Sequence, residues 1–254
     1  MFSFEWVTLV MAVTGLGIAA YRSATGVHRP AAVIMSITLV VAVVTSANVL
    51  PASARLWLGL GYLPAGYWLP ALLRTRDPSG RFTRWLIRTD AWLPGGARIP
   101  SWLVHATDVC YLLCYLVVPV GYAALAYGGN ANDQARFVTA VLASGFMCYA
   151  TLPWLVSLPP RRLASHDGER PIAALNVALL DRVSHGYNTF PSGHAAVSTA
   201  VAVATLPLPW VAAACGVVAL GVAVGAVVGR HHYKIDVLAG IATGIAATVA
   251  ASHI

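Results

Sequence analysis

The sequence predicts an all-α fold: a polytopic transmembrane helical bundle of about eight spans. Of the 254 residues, 58% are hydrophobic and only 10% are charged, whereas soluble domains carry about 25% charged residues. The apolar residues form runs of about 18 or more, which lets a helix cross a bilayer core of about 30 Å. The first charge is Glu5, and because no basic stretch precedes the first run, a signal peptide is not expected.

Eight apolar runs are the candidate spans. They cover residues 5–20, 31–50, 54–73, 102–127, 134–158, 193–207, 209–228 and 234–252. We expect two N-terminal transmembrane helices within residues 1–53, followed by a catalytic six-helix core over residues 54–254. Pro64 and Pro70 interrupt the third run, so a re-entrant segment is the alternative there.

The first long polar loop, residues 74–101, contains an amphipathic segment over residues 79–93. Basic residues recur there at helical spacing, and apolar residues fill the other side: Arg81, Arg84 and Arg88 against Phe82, Trp85, Leu86 and Trp92. This pattern predicts a helix that lies in the membrane interface, with a solvated connector as the alternative. The second long loop, residues 159–191, precedes the strongest motif.

The basic residues lie in loops between apolar spans, so the net charge of +7 indicates membrane orientation rather than nucleic-acid binding. With eight spans, fourteen of the sixteen Lys and Arg residues fall on one membrane face, and only Arg55 and Arg136 fall on the other. The excess persists when the candidate phosphate ligands are left out. We therefore predict a multi-pass protein of the plasma or inner membrane, with both long loops and the 229–233 turn in the cytoplasm.

The strongest local motif is Pro191-Ser192-Gly193-His194, directly before an apolar run. Proline and serine are typical of a helix start, and glycine lets the backbone approach a ligand closely. Free N–H groups and the helix dipole then favour an anion. We interpret Ser192 and Gly193 as phosphate-binding residues and place His194 beside the phosphate. An ordinary capped helix with an interfacial histidine has the same pattern.

A second motif, residues 229–236, opens the last span. His232 and Asp236 are four residues apart, so on a helix they share one face. A carboxylate on one imidazole nitrogen fixes the tautomer and leaves the other nitrogen free as a nucleophile. A helical ion pair has the same spacing, but an acid inside a span is a candidate functional residue. Both motifs also fall on the same predicted membrane face.

Together the motifs resemble those of the type 2 phosphatidic acid phosphatase superfamily, over about residues 102–254. That family's Pro-Ser-Gly-His motif is complete here, and its third motif keeps His232 and Asp236. Two positions depart from the pattern. Ala226 stands where the third motif has arginine, and Leu163 stands where the first motif has lysine.

The first motif combines features of two branches of the family. Arg170-Pro171 matches its usual end, whereas Pro159-Pro160-Arg161 resembles the version in inositol phosphorylceramide synthase-like proteins. This second resemblance introduces a lipid phosphotransferase as an alternative to a phosphatase.

The resemblance implies a membrane lipid phosphate as substrate and a reaction without cofactor or metal. His232 would attack phosphorus to form a phosphohistidine, and Asp236 would orient it. His194 would protonate the leaving oxygen and then activate the acceptor. The candidates to neutralise the phosphoryl oxygens are Arg161, Arg162, Arg170 and Arg230. We interpret His185, Tyr187, Asn188 and His231 as loop residues near the pocket, and Asp108 and Tyr111 as further candidates for substrate contact.

The same histidines and aspartate serve two reactions. A phosphatase passes the phosphoryl group to water, which the complete Pro-Ser-Gly-His favours; a phosphotransferase passes a phospho-headgroup to an alcohol, which the altered motifs favour. We favour the phosphatase. A transporter is less favoured, because the ionisable residues fall at helix ends and not near the midplane. A metal hydrolase using His194, His231, His232 and Asp236 would suit zinc, since an acidic cluster for magnesium is missing.

Overall fold

The computed structural model describes residues 1–75, 80–93, 99–163 and 171–253, and this part of the chain is an all-α bundle, as predicted. Its helices are α1 (Ser3–Ala24), α2 (Pro30–Val49), α3 (Ala52–Leu73), α4 (Arg81–Trp92), α5 (Ser101–Gly128), α6 (Ala131–Tyr149), α7 (Pro171–Val183), α8 (Gly193–Ala204), α9 (Pro209–Val228) and α10 (Lys234–Ser252). By length and composition, five of them can cross a membrane: α1, α2, α5, α9 and α10. Three further spans stay predictions.

Those three predicted spans correspond to α3, α6 and α8. Helix α3 continues through Pro64 and Pro70 as one 22-residue helix, about 33 Å long. Helix α6 ends at Tyr149, whereas the sequence predicted a run to residue 158. Pro153 accounts for this difference, because proline lacks an N–H group and its ring clashes with the carbonyl four residues earlier. Helix α8 has 12 residues and ends at Ala204.

Helix α7 lies in the second long loop, where no helix was expected. It packs against α5, and the Asn176 side-chain amide donates a hydrogen bond of 2.8 Å to the Asp108 carbonyl. Asn176 is almost fully buried. The loop therefore contributes a structured element to the packing around α5.

Helix α4 lies where the amphipathic segment was predicted. Phe82 and Trp85 stack on each other and both meet the ring of Phe190 edge-on. Asp90 accepts a 2.5 Å hydrogen bond from the backbone N–H of Lys234, so α4 is also joined to the start of α10. Its helical structure is thus established, while its position in a membrane interface stays a prediction.

The chain's contacts define two ends of the bundle. At one end, called the site end here, Arg22 of α1 donates to the Pro153 carbonyl, and Thr75 N–H donates to the same carbonyl. At the opposite end, Arg55 at the start of α3 forms a salt bridge with Glu5 at the start of α1. Helix α3 therefore runs from one end of the bundle to the other.

Two pairs of glycines allow the helices that carry the motifs to pack closely. A Cβ atom at Gly240 would lie 2.6 Å from the Ser192 carbonyl oxygen, and one at Gly244 would lie 2.3 Å from that of Ala196. Larger residues would force α10 away from α8. Gly221 and Gly225 play the same part between α9 and α5, where added Cβ atoms would meet Cys110 and Thr107. Helix packing therefore requires glycine at positions 221 and 225.

Candidate active site

The His232–Asp236 pair lies at the N-terminus of α10. Only Asp236 is in the helix, which begins at Lys234, and His232 is in the turn before it. The predicted shared helix face is therefore wrong, and the turn brings the two side chains together instead. His232 Nδ1 is 3.5 Å from Asp236 Oδ2, and both side chains are buried. Asp236 also caps its own helix, since the Tyr233 N–H donates to Oδ2 at 3.2 Å. Because Nδ1 faces the carboxylate, Nε2 is the nitrogen left to meet a ligand.

Asn188 provides a further donor to Asp236. Its side-chain amide donates a short hydrogen bond to the same Oδ2 atom, and its backbone N–H donates to the Ser157 carbonyl at 2.9 Å. Asn188 is 3% exposed. The sequence predicted an ordinary loop role for Asn188, but in the structure its amide contacts the carboxylate that faces His232.

The Pro-Ser-Gly-His turn forms the N-terminus of α8, as the motif predicted. Ser192 is the N-cap, and its Oγ accepts from the Ala195 N–H at 3.4 Å. The Ser192 N–H itself donates to the Asp236 carbonyl at 3.0 Å. This backbone bond joins the two motifs directly, so their side chains are held at one place.

Gly193 is needed here for packing as well as for backbone access. A Cβ atom at this position would lie 2.5 Å from a ring carbon of Tyr149. Any larger residue would therefore displace the Tyr149 ring or the start of α8. The sequence suggested that a ligand required this glycine, whereas a neighbouring aromatic ring is the contact that the structure contains.

His194 faces His232 across the site. Their ring centroids are 5.9 Å apart and the rings are inclined at 65°. Tyr111 and Tyr115 of α5 lie against His194, with centroids at 5.3 Å and 6.1 Å. The structure therefore brings the three predicted catalytic residues together, with the two histidines on opposite sides of the space between α8 and the start of α10.

A cavity of about 760 Å³ opens beside these histidines. Its site end is polar and aromatic, and includes Tyr67, Tyr111, Tyr115, Tyr149, Arg161, Asn188, His194, His231 and His232. Its other walls are apolar side chains of α3, α5 and α7. A mostly apolar cavity with a few convergent polar groups is typical of a small-molecule site.

Of the candidate arginines, Arg161 lines this cavity. Its guanidinium is 3.5 Å from Asp181 of α7, and its Nε has no hydrogen-bond partner among the residues that the structure describes. The Arg161 N–H donates to the Arg230 carbonyl at 2.9 Å. This bond joins the loop before α7 to the loop before α10, and the buried cation is positioned to meet an anion.

The other three candidates have different positions. Arg162 lies outside the cavity lining, with its guanidinium against Gly186, whose φ of +78° is left-handed and favours glycine. Arg230 is exposed and contributes its carbonyl, not its side chain, to the contact with Arg161. Arg170 is outside the described residues. A phosphate-binding role for these three stays a prediction.

Two titratable groups in the site loops have shifted pKa values. Burial, together with the nearby Arg74 charge, lowers the pKa of His185 to about 4, so this imidazole is neutral at neutral pH. Its ring stacks on Tyr67 with a centroid distance of 4.4 Å. Burial raises the pKa of Tyr233 to about 12, and the Tyr233 hydroxyl donates to the Leu158 carbonyl at 3.1 Å. Both groups fix loops around the histidines.

Several residues of the cavity were missed in the sequence. Tyr67, Trp68 and Tyr149 lie inside predicted spans, where aromatic side chains are ordinary and mark no site. Asp181, the partner of Arg161, was missed as well; it lies in the unexpected helix α7 and outside the cavity lining. Tyr111 was a candidate, and its ring stacks on His231 at 4.3 Å, so it lines the cavity between two histidines.

Across residues 1–75, 80–93, 99–163 and 171–253, no three His, Cys, Asp or Glu side chains come close enough to share a metal ion. The described groups near the cavity are instead imidazoles, one buried carboxylate and one buried guanidinium. Such a set suits proton transfer and the binding of an anion.

The chain matches a known protein family. A family model described as the PAP2 superfamily matches residues 83–250, which is about two thirds of the chain and includes both motifs. No curated protein matches the chain, and no solved structure matches it.

Proposed function

The chain belongs to the PAP2 superfamily, whose members are phosphatase-type and phosphotransferase-type lipid enzymes, and we propose that it is a phosphatase that removes phosphate from a membrane lipid phosphate. The observation that carries this proposal is the pair of opposed histidines, His194 and His232, at 5.9 Å between ring centroids. One of them is backed by a buried carboxylate, and a buried arginine lines the same cavity.

In the first step, His232 Nε2 attacks phosphorus and the bond between phosphorus and the lipid oxygen breaks. The departing oxygen takes a proton from His194, which stands on the other side of the cavity. Asp236, near Nδ1, stabilises the positive charge that develops on the His232 ring. Arg161 neutralises phosphoryl oxygens. The products are a lipid alcohol and a phosphohistidine.

In the second step, His194 takes a proton from water and the water oxygen attacks phosphorus. The bond between phosphorus and Nε2 breaks, inorganic phosphate leaves, and His232 is regenerated. The two steps use His194 first as an acid and then as a base, so no proton or electron has to come from another group.

A lipid phosphotransferase is the second candidate. It would use the same steps with an alcohol in place of water. The observation that favours it is the rearranged positive charge: Ala226, at the family's arginine position, is fully buried, and its carbonyl accepts the N–H groups of His231 and His232 at 2.9 Å. A transporter is less favoured, because the candidate catalytic residues His194, His232 and Asp236 lie together at one end of the bundle.

The decisive experiment follows the phosphoryl group. Purified protein in detergent is incubated with a panel of lipid phosphates labelled in the phosphate, with and without alcohol acceptors. We expect labelled inorganic phosphate from the wild type. A labelled phospholipid formed only with an acceptor would establish the transferase instead, and neither product from any substrate would refute both proposals.

The phosphohistidine is tested by rapid quenching in alkaline detergent, because phosphohistidine survives base and is lost in acid. We expect label on the wild-type protein and none on His232→Ala. His253→Ala, which changes an exposed histidine at the end of α10, is the control and should retain the label. Label that persists in His232→Ala would exclude this residue as the nucleophile.

We further propose that the reaction needs no metal and occurs on the cytoplasmic face. Activity that is lost in chelator and restored by added metal would contradict the first point. The second is tested in intact cells with an impermeant thiol reagent on Ser101→Cys, at the site end, and Asn132→Cys, at the opposite end; both positions are exposed. We expect only Asn132→Cys to react before lysis, and the reverse result would invert the topology.

A further inference from the structure

The cavity does not end at the two histidines but continues along two helices towards the middle of the bundle. On α3 its lining extends from Trp68 to Leu60, and on α5 from Tyr111 to Pro119. Each stretch is nine residues, which span about 12 Å of helix. The two helices run in opposite directions, so Trp68 and Tyr111 mark the polar end, and Leu60 and Pro119 mark the deep end.

The deep half of this cavity is apolar. Its walls are Leu60, Leu63, Pro64, Val118 and Pro119, with Val197 of α8 behind them. No Asp, Glu, Lys or Arg of the described residues lines that half. A phosphate bound beside Arg161 would therefore have a continuous apolar path leading away from it, which suits hydrocarbon and not a second polar group.

Helices α3 and α5 leave this path open to the side. Helix α3 packs against α1, α2 and α6, whereas α5 packs mainly against α9 and also against α8, α6 and α7. Helix α6 therefore lies against both of them. The aromatic contact between α3 and α5 is Trp57 on Tyr122, with centroids 4.5 Å apart. Each of these residues lies three positions beyond the deep end, so their contact forms the floor. Above it, Pro64, Tyr115 and Pro119 are exposed.

Gly61 lies at the deep end, and its contacts with other helices do not require glycine. A Cβ atom added at Gly61 would meet nothing within 4 Å, whereas on the same helix one at Gly59 would meet Val138 at 2.8 Å and one at Gly66 would meet Phe146 at 2.0 Å. Glycine also weakens a helix relative to other residues. A larger side chain at position 61 would therefore enter the open space and leave the helix contacts intact.

We propose that the apolar half of the cavity holds the hydrocarbon chain of the phosphate-bearing lipid, that the chain enters from the bilayer between α3 and α5, and that Gly61 determines how much chain the cavity accepts. This proposal rests on the proposed function, because it assigns the hydrocarbon part of the substrate to the same site. It makes Gly61 a residue that selects for chain length and takes no part in the chemistry.

The test compares binding of two non-hydrolysable phosphate mimics, hexadecylphosphonate and butylphosphonate, to purified full-length protein in detergent. The variants are Gly61→Trp and, as a matched control, Gly17→Trp. Gly17 is an exposed helical glycine of α1 where an added Cβ atom also meets nothing within 4 Å. Butylphosphonate reports the phosphate site and the fold, because its chain is too short to reach the deep end.

We expect Gly61→Trp to weaken hexadecylphosphonate binding about tenfold or more, which is the effect of displacing about two methylene groups. Butylphosphonate binding should stay unchanged, and Gly17→Trp should bind both ligands as the wild type does. Equal effects on the two ligands, no effect of Gly61→Trp, or equal wild-type affinity for both would overturn the proposal. If no lipid phosphate is hydrolysed but this chain-length pattern holds, the proposed function fails and the chain site stands.

Discussion

The two ends of the bundle each contain a buried acid with a basic partner, and the two pairs differ in how fully the acid is bonded. At the opposite end, Arg55 Nε and Nη2 donate to the two oxygens of Glu5 at 2.8 and 2.5 Å, and the Phe2 N–H donates at 2.7 Å. At the site end, His232 Nδ1 is 3.5 Å from Asp236 Oδ2. The other oxygen, Oδ1, has no hydrogen-bond partner among the described residues.

The extent of hydrogen bonding to the acid distinguishes a structural ion pair from a functional site in this membrane protein. A bidentate, fully bonded carboxylate has no capacity left for a ligand and holds α1 against α3. A carboxylate that is incompletely bonded beside a cavity can respond to charge that develops on its partner. An acid in a predicted span is therefore only a candidate, and its bonding and its distance from a cavity decide its role.

The largest expected effect is a loss of activity at the site end, in His194→Ala. Loss of the general acid should lower kcat/KM for a lipid phosphate by about 10²–10⁴-fold. The rate at which p-nitrophenyl phosphate phosphorylates the enzyme should fall much less, because nitrophenolate is a good leaving group that departs without a proton. Single-turnover release of nitrophenol measures this step. Equal losses with both substrates would exclude His194 as the acid.

The next effect tests the opposite end. Glu5→Gln removes one partner of a buried pair and leaves the Arg55 charge without compensation, so the free energy of unfolding should fall by about 3–5 kcal/mol. Turnover per folded molecule should stay unchanged. Chemical denaturation in detergent gives the first quantity, and the double variant Glu5→Gln/Arg55→Met should recover much of the stability.

Asp236→Asn is the matched change at the site end. Turnover should be lost while most of the stability is kept, the reverse of the pattern in Glu5→Gln. If both substitutions lowered stability and left turnover unchanged, the distinction between the two ends would be wrong.

A smaller effect is expected for Asn188, which supports Asp236. A hydrogen bond to a charged group contributes about 1.5–3 kcal/mol, so Asn188→Ala should lower kcat by about 10–100-fold with little change in KM. Asn188→Asp should be worse, because it places a second carboxylate against the first. Asn132→Ala at the opposite end is the control. A change confined to KM would show that Asn188 binds substrate and does not position Asp236.

The smallest expected effect is a pH dependence of the free energy of unfolding, caused by His185 at the site end. The pKa of His185 is lowered to about 4 by burial and by Arg74, against about 6.5 in the unfolded chain. Above the unfolded pKa, the neutral ring contributes its full stability. That stability is lost as the pH falls through the window between the two values, by about 2 kcal/mol from pH 7 to pH 5.

Thermal unfolding of the wild type and of His185→Phe at these two pH values measures this dependence. Phenylalanine can keep the stack on Tyr67 but cannot be protonated. The variant should therefore lose less stability on acidification than the wild type. An identical loss in both proteins would assign the pH dependence to other groups.

The sequence was a reliable guide to the elements that depend on local chemistry. Apolar runs predicted the positions of α2, α5, α9 and α10 to within about one residue, because hydropathy and helix-ending residues act locally. It failed where the ends depend on contacts or on proline geometry, as at Tyr149. Helix α7 was missed because its neighbours, and not its own pattern, stabilise it.

The candidate site was predictable to a similar degree. His194, His232 and Asp236 were found because two short motifs carry them, and the structure brings them together. The sequence did not predict which of the four candidate arginines lines the cavity, because nothing in the loop sequences distinguishes them. The position of Arg161 follows from its contacts with Asp181 and with the Arg230 backbone, which join segments far apart in the chain.

By itself, the sequence determined that this chain is an all-α membrane protein and which three residues carry the candidate chemistry, because composition and short motifs are local properties. Only the tertiary structure decided that Asn188 holds Asp236, that Arg161 lines the cavity, and that α3 and α5 leave an apolar path beside Gly61. Each of these features joins residues that are distant along the chain. Their proximity is a result of helix packing, which depends on the shapes of all the faces in contact at once.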